Sequence, residues 1–485
     1  MKINIHIQEY ALLSMAAFFI ITAGSVSLKA EESCLLDRAR TLELIRNNNL
    51  SSKIAQTQMI KSQKNSEFAK SVYDQNISIA AKHTLDKSDR VVSFMGTKDE
   101  ITSISTQYRK AFSSGTQVYG GITSTRQSNN GPFTTVNPAF DTVLSFGVRQ
   151  PLVNNAFGRQ FRNDVEIAEK LAKSETKSLE RKQEELAIEI LFEYWNWIAK
   201  HQDLLLLKQA TKRAQDFLQI TKSQLQYGTS ESTDYYAAQS NYLSQLEDQT
   251  RAENDVDNSY QMLSFYLQLD SENVACKSSH ENLYKEIDYS LFSDPESAKE
   301  SRTDRDSLKI ALDLTKIQVQ KNQNNQLPNL DLVSSLDLNA VDGNWSDSMG
   351  KSFSSYHPKW FIGAEFSIPL EKRKEKTQLI QAQLDEKIAK IRIQELDAHI
   401  EKLIETKIST LKSLEKRIRD INQVVDFESK KLQSAKRDYQ LGRQTALTVI
   451  LYQQDLIRVN RRKLSLELEY RLSLEELQFI RGEIL

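Results

Sequence analysis

Two hydrophobic periods alternate along this chain, one of three to four residues and one of two. From Leu370 to Leu441 there is no Gly and no Pro, and Ile404, Ile408, Leu411, Leu414, Ile418, Ile421 and Val425 recur at steps of three and four. That is a helical stripe, narrow as in a coiled coil rather than broad as in a globular core. A continuous helix of roughly 70 residues is about 105 Å long. A second run without Gly or Pro, Arg159 to Tyr227, carries Val165, Ile167, Leu171, Leu179, Leu186, Ile190 and Trp197. Gly228 closes this rod as Gly442 closes the other, and a polar turn and a further helix follow each, Thr233 to about Leu269 and Thr445 to about Ile480. The pattern predicts two long helical hairpins.

Period two takes over between the rods. Ile77-Ser78-Ile79, Ile101 to Tyr108, Val118 to Thr123 and Val143 to Val148 read as strands, with Asn129-Asn130-Gly131-Pro132 the strongest turn signal. This first strand region spans about 76–150, and Gln150-Pro151-Leu152 ends it. A second spans about 328–369, with Leu330-Asp331-Leu332, a loop through Gly343-Asn344-Trp345, and Phe361 to Ile368. Helices precede the two regions, from Leu36 to about Val72 and from Arg305 to about Asn324. Pro151 and Pro369 lie 218 positions apart, and Gly228 and Gly442 lie 214 apart, which leaves about four extra residues near Asn155 to Gly158. The chain is therefore a tandem repeat of helix, strands, long helix and helix: repeat one over 31–269 with its tip at 228–232, a polar segment over 270–301, and repeat two over 302–485 with its tip at 441–445. A few strands per repeat leave open sheet edges. A closed barrel shared by several copies removes them, and in a membrane that closure is obligatory.

Composition narrows the function. Only 14 Gly and 7 Pro in 485 residues suit rods, and a net charge of −1 provides no basic field for nucleic acid. Residues 1–30 read as a secretory signal peptide, with Lys2 ahead of the apolar run Ala11 to Ala23 and a cleavage position after Ala30; an uncleaved anchor helix is the alternative. Cys34 and Cys276 bracket the first repeat, which in an exported protein permits one disulfide, two separate thiols being the alternative. The six His are scattered, and no nucleophile constellation or phosphate-binding Gly loop is present, so neither an enzyme nor a metal or cofactor site is expected. Tyr194, Trp195 and Trp197 lie mid-rod and read as helix packing.

The chain resembles the TolC-type outer-membrane efflux protein family over essentially its whole mature length. The resemblance rests on Gln150-Pro151-Leu152 and Ile368-Pro369-Leu370 at the strand-to-helix corners, Leu327-Pro328, Arg305-Asp306, and two tip motifs. One tip motif is Tyr227-Gly228 with Asp234 and Ala238-Gln239; the other is Tyr439 with Gly442, Thr445 and Gln453. The resemblance implies a homotrimer with four strands per chain in a twelve-stranded outer-membrane barrel, continued by a periplasmic helical barrel. It implies a passive exit channel of a tripartite efflux pump or type I secretion system, docked to a periplasmic adaptor and through it to an inner-membrane transporter. A soluble periplasmic scaffold or adaptor is the alternative function. The first strand region exceeds the family pattern, so 95–127 holds either two additional strands or a long surface loop.

By the same resemblance, Asp234 and Tyr439 would help hold the periplasmic mouth shut. The family's basic partner, two positions after the second tip Gly, is Gln444 here, with Arg443 beside it. Where family members often carry a carboxylate ring, six and nine positions after that Gly, this chain has Thr448 and Leu451, so no such ring is expected. Tyr227, Gly228, Thr229, Leu441 and Gly442 match the adaptor-contact tips, and the glycines also suit simple helix reversal.

Overall fold

The computed structural model describes residues 35–89, 96–269, 277–278, 281–354 and 357–484. The leader, Cys34 and Cys276 lie outside the described residues. The chain opens on strand β1 (Leu35–Leu36), then helices α1 (Arg38–Asn48) and α2 (Leu50–Ala69). Four strands follow, β2 (Asn76–Asp86), β3 (Asp99–Ala111), β4 (Gln117–Asn129) and β5 (Ala139–Pro151). The first hairpin is α3 (Arg159–Gln226) and α4 (Ser232–Leu267). After β6 (Lys277–Ser278) come α5 (Pro295–Ser301), α6 (Thr303–Asn324), β7 (Asn329–Asp342), α7 (Trp345–Phe353) and β8 (Pro358–Ser367). The second hairpin is α8 (Arg373–Gln440) and α9 (Ala446–Ile480).

Both rods are single helices of 68 residues, each about 102 Å long. With no Gly or Pro inside, nothing interrupts the backbone ladder, and both end in the same way. Gly228 and Gly442 take φ of 72° and 70°. The following N–H groups, of Thr229 and Arg443, donate back to the carbonyls of Gln224 and Asp438 at 2.9 and 2.8 Å. Only a residue without Cβ adopts this reversal at little cost. The expected helix over Leu36 to Val72 is instead two, because Asn49 caps the second: its Oδ1 accepts from Ser52 N–H at 3.0 Å, and its Nδ2 donates to the Tyr266 carbonyl at 2.8 Å.

Helices pack as two rows sharing α3 and α8: α2–α3–α6–α8 towards the sheet, and α4–α3–α9–α8 towards the tips. The core sits where the rows meet. Tyr194, Trp195 and Trp197 are at most 1% exposed there, among Leu36, Ile45, Leu263 and Leu267, so they pack helices as their mid-rod position predicts. Glu475, fully buried, accepts from Arg38 Nη2 at 2.9 Å and Trp195 Nε1 at 3.0 Å, and pairs with Arg471 at 3.1 Å. One carboxylate thus joins α1, α3 and α9.

Six strands form one antiparallel sheet in the order β2-β3-β4-β5-β7-β8, while β1 and β6 pair separately in parallel. The resemblance implies four strands per chain; the sheet has six. Strands β3 and β4 occupy the stretch that sequence left open between strands and a surface loop. The Phe112–Thr116 turn closes them, Phe112 N–H donating to the Thr116 carbonyl at 2.9 Å.

Candidate functional site

Ladder register assigns every strand residue to one of two faces. Ile79, Ile104, Ile122, Leu144, Leu336 and Trp360, one from each strand across the sheet, share a face. The other face carries Lys82, Ser103, Thr125, Asp141, Asp337 and Lys359. At its helix-side end Arg149 donates to Asp331 at 2.6 Å and to Glu365 at 3.1 Å. An apolar outer face and a charged inner face are what a lipid-embedded, water-filled barrel requires of its wall. Helix α7 lies on the apolar face at the end remote from the rods. Ser348 Oγ sits 2.9 Å from both Thr142 Oγ1 and the Ala340 carbonyl, while Trp345 and Phe353 stay exposed. Aromatic side chains on such a rim suit the interface between hydrocarbon and water. Among the described residues, no helix is long and apolar enough to cross a membrane.

The two flanks of the molecule match. Among the described residues, strands β2 and β8 are each hydrogen-bonded on one side only. Beneath β2, α2 exposes Leu50, Ile54, Ile60 and Phe68; beneath β8, α8 exposes Ile380, Leu384, Ile388 and Ile391. Towards the tips, the outermost helices α4 and α8 expose Tyr236, Leu243 and Leu246 on one flank and Val424 and Phe427 on the other. Both flanks are thus apolar stripes along helices with a neighbour on one side.

At the tips, Tyr439 is 4% exposed and packs on Phe217 with ring centroids 5.1 Å apart. Burial pushes its phenol above the usual range. Its hydroxyl lies 3.4 Å from Ser230 Oγ, and Ser230 Oγ donates to Asp234 Oδ2 at 3.1 Å. The structure therefore brings Asp234 and Tyr439 to one place, linked through Ser230 rather than by a direct hydrogen bond. Ser230 lies in a polar turn with no periodic signal to single it out. Thr448 N–H donates to Thr445 Oγ1 at 3.4 Å, which caps α9. Leu451 and Leu447 are about half exposed on α9. Tyr227, Gly228, Thr229, Leu441, Gly442 and Arg443 are all exposed at the outermost turns.

Residues 109–267 match the family model described as outer membrane efflux protein. The fold is that of the outer-membrane efflux channels. CusC matches with a TM-score of 0.69 at 14% identity, over 92% of this chain and 91% of that one. CmeC, the outer membrane channel of Campylobacter jejuni, matches at 0.67 and 15% identity, over 92% and 85%. The outer membrane protein VceC of Vibrio cholerae matches at 0.66 and 14% identity, over 92% and 95%. No curated protein matches the sequence. The family match thus rests on residues 109–267, while the likeness to these solved channels is one of fold over about nine-tenths of the chain.

Proposed function

We propose that this protein is the passive outer-membrane exit channel of a tripartite efflux pump or type I secretion system. Three copies surround one lumen, and their tips dock end-on to a periplasmic adaptor and through it to an inner-membrane transporter. The observation that carries this reading is the pair of matching flanks. A sheet edge and an apolar helical stripe run along each side of the molecule, and both need a neighbour of the same kind. A ring of identical chains satisfies both flanks by one contact repeated head to tail. A soluble scaffold would have no use for a sheet face of Ile, Leu and Trp.

Two finer readings belong to this proposal. The Tyr439–Ser230–Asp234 chain of hydroxyls and carboxylate holds the mouth shut, with Leu447 and Leu451 narrowing it and Arg443 beside it. Tyr227, Gly228, Thr229, Leu441 and Gly442 meet the adaptor. In addition, Cys34 and Cys276 form a disulfide. Support comes from their immediate successors, since Leu35 pairs in parallel register with Lys277. The test of the channel reading is membrane fractionation followed by native mass spectrometry of the detergent extract. Trimers from the outer-membrane fraction support it; a monomer released without detergent refutes it.

A further inference from the structure

The six-stranded sheet bears on how the barrel closes. We propose that all six strands of each chain enter the barrel wall, β8 of one copy pairing antiparallel with β2 of the next, so that three copies close an eighteen-stranded barrel. This rests on the trimer reading above and adds the strand count and the contact that closes the ring.

Arc length is the first support. Strands spaced about 4.8 Å apart and tilted about 35–45° each occupy about 6–7 Å of circumference, so six span about 35–41 Å. The row beneath holds four helices, α2, α3, α6 and α8, which at spacings of about 8–10 Å span about 32–40 Å. Sheet and helix row therefore subtend the same arc. Four strands would cover only about 23–27 Å and leave the helices overhanging.

The second support is that the additional hairpin is built into the base of the wall. Strands β3 and β4 are 13 residues each, as long as β5. Their turn seats on the corner where β5 enters α3. Thr116 Oγ1 donates to Gln150 Oε1 at 2.5 Å, and Arg162 Nη1 donates to the Ser113 carbonyl at 3.1 Å. A Cβ on Gly158, where φ is +69°, would lie 2.1 Å from that carbonyl oxygen. The extra residues of repeat one near Asn155 to Gly158 thus form the seat of this hairpin. One insertion accommodates the other.

The third support is the edges. β2 runs away from the helices and β8 returns to them, so a contact between copies is antiparallel, and their lengths of 11 and 10 residues match. Ile77 and Ile79 on β2 and Trp360 and Ile362 on β8 keep the apolar face continuous across that contact. Hydrocarbon does not tolerate an unpaired edge, and six strands are too few to close alone. A second copy of this chain is the occupant that fits both edges.

Barrel diameter grows roughly with strand number, so this outer lumen would be about 1.5 times as wide as that of a twelve-stranded barrel. The tips stay a ring of twelve helices, so the widening affects the outer end alone. The test is cryo-electron microscopy of the extracted oligomer in lipid nanodiscs, with strands counted in the mid-membrane section and copy number read separately by native mass spectrometry. Eighteen strands in a trimer are expected. A trimer with twelve wall strands, β3 and β4 lying outside the wall, would overturn the proposal while leaving the trimer reading intact. A copy number other than three would sink the trimer reading and with it the count of eighteen.

Discussion

Ser230→Ala should loosen the closed tips. The substitution keeps the turn but removes the hydroxyl that links Asp234, 3.1 Å away, to Tyr439 at 3.4 Å. A hydrogen bond to a carboxylate contributes about 1.5–3 kcal/mol when shielded and less when solvated. Asp234 is half-buried, which places its bond near the lower end, about 1.5 kcal/mol. The longer contact adds about 0.5 kcal/mol, so each copy loses about 2 kcal/mol. Ser230 and Asp234 share one tip, so only the Ser230–Tyr439 contact crosses between hairpins; if opening parts the two hairpins, losing that contact is roughly a 2-fold shift towards open per copy. Single-channel recording in planar bilayers should show higher mean conductance for Ser230→Ala than for the parent. Tyr439→Phe loses the same contact and should shift the ratio equally, roughly 2-fold per copy, and adding Asp234→Ala should weaken the first tip without a further shift. Tyr439→Ala is a different experiment, because it empties a packed site and costs about 3–5 kcal/mol of tip stability. Conductance of Ser230→Ala equal to the parent, with trimer yield unchanged, would refute the reasoning and move the closure to apolar contacts around Leu451.

Three further outcomes are expected. Alkylation and mass spectrometry of the native protein without reductant should find Cys34 and Cys276 joined; two alkylated thiols would exclude the bond. Gly158→Ala should lower the yield of folded oligomer sharply, since its Cβ meets backbone as well as an unfavourable φ, while Gly228→Ala, with nothing within 4 Å, should cost only about 1–2 kcal/mol. Equal losses for the two on semi-native gels would contradict the seat described for the hairpin. Glu475→Ala strands Arg471 and the Trp195 N–H, leaves Arg38 with Gln478 Oε1 at 2.8 Å, and should cost about 3 kcal/mol, read from the denaturant midpoint of the helical signal; an unchanged midpoint would mean that water replaces the carboxylate.

The rods were legible because their signal is long and uninterrupted: one stripe over 68 residues overrides any local ambiguity, and a lone Gly marks each end. The Tyr194–Trp197 group was legible for the same reason, since helical spacing placed it on a packing face. Strands β3 and β4 were harder. Ser103, Ser105 and Gln107 alternate with Thr102, Ile104, Thr106 and Tyr108, so on β3 the faces differ less in polarity than on β5 or β7 and a loop remained open as a reading. The break at Asn49 depends on a single cap that outcompetes helix continuation, which periodicity averages away. Ser230 was invisible because its role comes from tertiary contact between two hairpins some 200 positions apart. Pairing register between β5 and β7, across an entire helical hairpin, likewise has no local signature.

The claim that the assembled protein is a passive conduit is tested most directly by dye release from proteoliposomes. The detergent-extracted oligomer is reconstituted around a self-quenched hydrophilic dye, with insertion verified by protease protection. Release should need no energy source, run slowly with the parent and faster with Ser230→Ala, and be absent from protein-free vesicles. Complete retention of the dye by both proteins, with trimers inserted, would contradict the account.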